Sequence, residues 1–189
     1  MDDVRPDEAL MLAYRDGEAA AFDILYRRHR AKLFRYLAHQ VPHCADELFQ
    51  DIWIRVIAAR AGYEVTAKFS TWLYRIAHNR LMDHFRAQGR SLIEFTDPQG
   101  DNDDCPALDQ RAPTAAEPDA MLARKNLAQH ILGALEQLPA AQREAFLLAE
   151  ESGLSLDAIA VATGVGKETA KSRLRYAFER LRRTLGDTV

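Results

Sequence analysis

The chain has 189 residues, 48% of them hydrophobic and 28% charged, enough apolar material to build packed cores and to exclude a disordered polymer. No apolar signal segment follows the acidic start "MDDVRPDEAL", no uncharged run approaches the ~20 residues that a membrane-spanning helix needs, and Cys44 and Cys105 match no zinc, redox or disulfide spacing; a cytoplasmic chain without metal or cofactor is expected. The net charge of −3 is unevenly spread, with residues 68–90 summing to +4, 91–120 to −7 and 167–183 to +5, and clustered Lys and Arg attract polyanions whatever the total.

In chain order, "PDEALMLAYRDG", "AAAFDILYRRHRAKLFRYLAHQ", "ADELFQDIWIRVIAAR" and "STWLYRIAHNRLMDHFRAQ" read as helices, because apolar residues recur at three and four and no alternating pattern competes. Gly17, Pro42 and Gly62 punctuate them. In the third helix Leu48, Phe49, Ile52, Trp53, Val56 and Ile57 form the expected core face, while Glu47, Gln50, Asp51 and Ile54 form an acidic and amide stripe around one apolar residue, the composition of a docking face. The loop "RAGYEVTAKF" carries Tyr63, Lys68 and Phe69, and Ser70 or Thr71 is the expected start of the fourth helix. Behind Trp72 that helix has two opposed sides: Leu73, Ala77, Leu81 and Phe85 to pack, and Arg75, Asn79, Asp83 and Arg86 to face outward.

Residues 91–120 hold eight acids and four of the seven prolines with little periodicity, the composition of a flexible linker. Helical text resumes with "MLARKNLAQHILGALEQL", breaks at Pro139 and continues with "AAQREAFLLAEES". Ser155 is placed to cap a helix whose inward residues are Leu156, Ile159 and Ala160, and Gly164 to supply a left-handed turn. A last helix starts near Lys167, with Ala170, Leu174, Ala177, Phe178 and Leu181 on one arc. The expected fold is all-α: two small helical domains, 1–90 and 121–189, joined by an acidic linker over 91–120.

Helix, short glycine turn and polar-faced helix make a helix-turn-helix, whose second helix enters the DNA major groove. Lys167, Lys171 and Arg173 suit phosphates or guanine, Glu168 suits cytosine, and Thr169 and Ser172 can reach bases or phosphate oxygens. Arg175, with Arg180, Arg182 and Arg183, lies further along, where phosphates are the nearer partners. The plain alternative is an amphipathic surface helix facing water; the spacing of Ala160 and Gly164 favours the DNA reading.

"LEQLPAAQREAFLLAEESGLSLDAIAVATGVGKETAKSRLRYAFERLRR", with its Leu-Pro, Arg-Glu and Thr-x-Lys-Ser-Arg-Leu, resembles region 4 of bacterial RNA polymerase sigma factors, particularly the extracytoplasmic-function group. The resemblance implies that this part reads the −35 promoter element. Ala170 stands where a larger branched residue is usual in that family, which implies looser packing of the reading helix. "DELFQDIWIRV" resembles region 2.2, which implies that Glu47, Gln50, Asp51 and Ile54 bind the clamp helices of the polymerase largest subunit.

"KFSTWLYRIAHNRLMDHFRAQGR" resembles regions 2.3 and 2.4 through Phe-Ser-Thr-Trp-Leu, Ile-Ala-x-Asn and Asp-x-x-Arg. That match makes Tyr63, Lys68, Phe69, Trp72, Arg75, Asn79, Asp83 and Arg86 the −10 set, able to stack on and bond to bases that leave the duplex; plain core packing stays equally open for Phe69 and Trp72. The resemblance covers about residues 8–88 and 121–185. It implies a non-enzymatic initiation subunit whose partners are core RNA polymerase (clamp helices and flap), promoter DNA and an anti-sigma protein, often anchored in the inner membrane. Two other classes compete. A helix-turn-helix regulator with a helical sensor domain would bind duplex operators without polymerase. A metal enzyme is disfavoured because Pro42 separates His39 from His43 and Cys44, and because His78 and His84 fall on different faces.

Overall fold

The computed structural model describes residues 3–89 and 129–186, so the linker expected over 91–120 lies outside the described residues. Helix α1 (Asp7–Arg15) follows Pro6 and carries Asp7 and Glu8 in its first turn and Arg15 in its last, the order that the helix dipole favours. Gly17, at φ 112, turns the chain into α2 (Ala19–Gln40), a backbone angle that side chains other than glycine rarely adopt. Pro42 leads a 3-10 turn (Pro42–Cys44) into α3 (Ala45–Ala59). A second 3-10 turn (Arg60–Gly62) and a loop lead to α4 (Phe69–Ala87). Helical residues 129–136 (α5) precede α6 (Ala140–Glu150), α7 (Leu156–Thr163) and α8 (Lys167–Gly186). The described residues contain no strand.

Helices α1 and α3 pack on α2, and α4 packs on α3 and α1, its Tyr74 ring meeting Tyr36 of α2 edge-on. Phe22 and Tyr26 of α2 meet Trp53 of α3 edge-on, at centroid distances of 5.7 and 5.0 Å, the geometry that aromatic quadrupoles prefer. Ile57 corrects the expected core face, being 41% exposed. The buried stripe of α3 runs along Ala45, Leu48, Ile52, Trp53 and Val56, and at 3.6 residues per turn Ile57 lies about 120° round from its centre.

In the second half, α5 meets α8 in a small cluster of Ala134, Leu135, Leu138, Ala177 and Leu181. Ser155 caps α7, its Oγ accepting from Ala158 N at 3.3 Å, and Gly164 ends the helix at φ 69, ψ 25. Ala170, where the resemblance implied looser packing, is fully buried and belongs to the same core cluster as Ala160 and Ala162 of α7.

The two halves are packed on each other rather than merely joined: α7 lies on α4, α6 on α2, and one buried cluster runs from Leu10 to Ala170. At its centre Glu144 of α6 has 0% exposure. Its Oε1 accepts from the Tyr36 hydroxyl at 2.6 Å and sits 2.8 Å from His78 Nδ1, which satisfies part of what a buried carboxylate requires. Arg35 to Glu151 at 2.6 Å and Arg143 to Gln40 at 3.2 Å join the halves further out.

Candidate nucleic-acid interface

On α3, Glu47, Gln50 and Ile54 stand in solvent, Ile54 being 62% exposed, and Ile57 extends the apolar part of the stripe. Asp51 differs from its neighbours. Half-buried, it bonds Arg80 Nε of α4 and approaches Arg55 Nε at 3.5 Å. The hydrogen bond from Arg80 holds its carboxyl below the usual value, with Arg55 adding to the effect. Asp51 is therefore a tie between α3 and α4 as well as a member of the stripe, and Arg80 is a residue that the helical pattern does not single out.

On α4, Arg75, Asn79, Asp83 and Arg86 are all exposed along one side. Arg86 Nη1 bonds Asp83 Oδ1 at 2.7 Å, and Arg55 Nη1 reaches Asp83 Oδ2 at 3.9 Å, so the carboxylate orders two guanidinium groups beside the amide. Lys68 is exposed and Trp72 half-buried. Tyr63 and Phe69 are inside, at 1% and 0% exposure. Tyr63 packs on Trp72 and Phe69 on His29, at 5.0 and 5.1 Å between ring centroids, so their ring faces are not open to a base in this arrangement. Burial, reinforced by the charges of Glu8 and Asp7, pushes the Tyr63 phenol up to about 12. Helix α4 also starts earlier than expected: its first residue is Phe69, Thr71 is buried, and no side chain at Lys68 caps it. The Phe69 amide donates to Glu8 Oε1 of α1 instead, at 2.6 Å.

On α8, Lys167, Glu168 and Lys171 are exposed, and Thr169, Ser172 and Arg175 are half-buried. Lys167 Nζ meets Asp157 Oδ1 of α7 at 2.8 Å, which raises its ammonium pKa. The Arg175 guanidinium carbon lies 4.8 Å from the centroid of the Tyr176 ring. Arg173 is buried, unlike the open groups expected of a base reader. It follows Ala170 by three residues and precedes Ala177 by four, so it shares their inward ridge; that spacing was present in the sequence.

The structure thus sets an apolar and acidic stripe beside a guanidinium-rich face on tied helices, with a helix-turn-helix against the opposite flank of α4. Among the described residues no three His, Cys, Asp or Glu converge as a metal-ligand set. Residues 25–91 match the family model for Sigma-70 region 2 and residues 128–181 that for Sigma-70 region 4. The RNA polymerase sigma factor CarQ of Myxococcus xanthus is 31% identical over 179 residues, covering 94% of this chain and 96% of that one. The ECF RNA polymerase sigma factor SigM of Mycobacterium tuberculosis is 32% identical over 184 residues, covering 96% and 86%. The sigma factor RpoE of Bartonella quintana, solved with the anti-sigma factor NepR, superposes with a TM-score of 0.63 at 25% identity, covering 87% of this chain and 96% of that one.

Proposed function

This chain belongs to the extracytoplasmic-function RNA polymerase sigma factors, and on that premise we propose that it seats on core polymerase through α3 and reads promoters with α4 and α8. As a sigma factor it directs promoter-specific transcription initiation. Glu47, Gln50 and Ile54 are the docking contacts. Arg75, Asn79, Asp83 and Arg86, with Lys68 and Trp72 at the helix start, hold the −10 strand as its bases leave the stack. Lys167, Glu168, Thr169, Lys171, Ser172 and Arg175 meet the −35 duplex, and Arg173 braces their helix from inside. The functional division is 1–90, 91–120 and 121–189, with the acidic middle segment occupying polymerase channels. Polymerase makes the RNA, in the cytoplasm, and this chain does no covalent chemistry. Among the described residues no helix is long and apolar enough to cross a membrane.

The observation that carries this reading is the Asp51–Arg80 bond, which couples the exposed stripe of α3 to the exposed face of α4. Seating on polymerase would then fix the −10 face directly. Regulation follows from the RpoE likeness, which spans both halves of the chain: an anti-sigma factor would hold the closed placement of the halves seen here.

Glu47→Lys tests the docking cleanly. Asp51→Lys would also break the bond to Arg80, so its loss of function would be ambiguous. In pull-down and run-off transcription with core polymerase, Glu47→Lys is expected to lower core binding about tenfold or more by opposing the partner's charge, with helical content intact. Core binding at the unsubstituted level would overturn the docking assignment. Sequence-specific operator binding by the chain alone would favour the regulator reading.

A further inference from the structure

Helix α1 grips the loop between the second 3-10 turn and α4 at both ends. At the far end, Glu8 Oε1 accepts from Phe69 N at 2.6 Å, the first amide of α4. At the near end, Arg15 Nη1 donates to the Tyr63 carbonyl at 3.3 Å, and the Arg60 guanidinium lies 5.2 Å from the centroid of the Tyr14 ring. Between these grips the Tyr63 side chain is buried, its hydroxyl without a hydrogen-bond partner among the described residues, so burial rather than directed bonding holds it.

The loop supplies no cap of its own, since Lys68 makes no side-chain bond to the helix start. The first amides of a helix have no partner within it. A carboxylate there makes a charge-assisted bond aligned with the helix dipole. The geometry of the loop is therefore imposed by α1, which precedes residue 25, where the region 2 match begins.

We propose that α1 is a splint for the promoter-reading loop, with Glu8 and Arg15 as positioning residues that set how Lys68 and Trp72 meet an extruded −10 base. This rests on the reading of the loop and α4 as the −10 surface. Neither residue touches DNA. Loss of either grip lets the loop shift while leaving the α3 stripe in place, so strand opening and −10 base preference change and core binding does not.

The test uses the full chain bound to core polymerase, on a promoter identified by mapping its start sites, with 2-aminopurine in the −10 segment reporting strand opening. Glu8→Ala is expected to slow opening roughly tenfold, as loss of one charge-assisted hydrogen bond implies, and to flatten the preference among −10 bases. Glu8→Gln keeps a carbonyl oxygen to accept from Phe69 N and should restore opening to within about threefold, the neutral bond being weaker. Arg15→Ala, at an exposed position on the other grip, gives the same loss in smaller measure and stands in should Glu8→Ala fail to fold. Unchanged opening and base preference in both alanine variants would overturn the proposal. So would Glu8→Gln as damaging as Glu8→Ala, or core binding that falls in step with opening. Lys68→Ala and Trp72→Ala separate the two ideas: if they leave opening unchanged the −10 reading itself is wrong, and if they slow it while the α1 variants do not, the splint alone is wrong.

Discussion

Replacing Tyr36 by Phe isolates one bond between the two halves. The Tyr36 ring is buried in α2 and meets Tyr74 edge-on at 5.4 Å, contacts that Phe retains. Its hydroxyl serves Glu144 of α6, at 2.6 Å. Burial and the neighbouring charge of Glu144 push the phenol well above its ordinary 10.0, so it donates at every working pH. A hydrogen bond to a charged acceptor contributes about 1.5–3 kcal/mol. Removing it leaves a buried carboxylate whose other oxygen, Oε2, already has no partner among the described residues. The balance between joined and parted halves should therefore move roughly 10- to 150-fold toward parted. Urea unfolding of Tyr36→Phe, Glu144→Ala and the double variant measures the coupling directly, with about 1–2 kcal/mol expected for residues that share one network. Small-angle scattering should show a larger radius for Tyr36→Phe. Strict additivity together with an unchanged radius would refute the assignment of this bond as a joint between halves.

Three further outcomes follow from the geometry. Gly164→Ala places a Cβ with nothing within 4 Å at φ +69, so thermal unfolding should show a loss of about 1 kcal/mol from backbone strain alone; a much larger loss would mean that the turn is held by contacts. The hydrogen bond from His29 and that from Arg28 hold the Asp7 carboxyl below its usual 3.8. A depressed acid contributes stability above its unfolded value and loses it as pH falls through the folded one, so acid unfolding of Asp7→Asn should be flatter below 3.8 than that of the unsubstituted chain. Lys171→Ala removes an exposed cation from α8; holoenzyme binding to promoter DNA should weaken similarly across −35 sequences, and the log–log salt slope should shrink by about one.

What the sequence shows of this molecule is what depends on neighbours three or four residues away. The stripe of Glu47, Gln50 and Ile54, the outward set on α4, the Ser155 cap and the left-handed Gly164 all follow from helical periodicity and local backbone chemistry, and the structure has each of them. The departures come from partners distant in sequence. Ser70 and Thr71 look like a helix start, yet Glu8, 61 residues away, supplies the cap, and no local pattern encodes that reach. Asp51 reads as one more acid in a stripe until Arg80, 29 residues on, is placed beside it. Glu144 lies 108 residues from Tyr36 and 66 from His78, and a glutamate on an amphipathic helix reads as solvated until the other half of the chain covers it. Tyr63 and Phe69 illustrate a different ambiguity: an aromatic in a small domain serves equally as core or platform, and only the placement of α1, α2 and α4 around them decides.

Those distant contacts bear on the proposed promoter reading. Helix α4 presents Arg75, Asn79, Asp83 and Arg86 to solvent while Tyr74, Met82 and Phe85 are buried, and α7 lies along the same helix. The packed form thus leaves the proposed −10 face open, and Glu47, Gln50 and Ile54 open with it. Under the proposed reading, closure acts not by covering those groups but by fixing the distance from α4 to α8, which a duplex carrying two separated elements must match for both helices to engage at once. Variants that loosen the Glu144 joint should consequently leave core docking unchanged and raise the fraction of chains able to reach both elements, a gain that appears only on promoters carrying the −35 element.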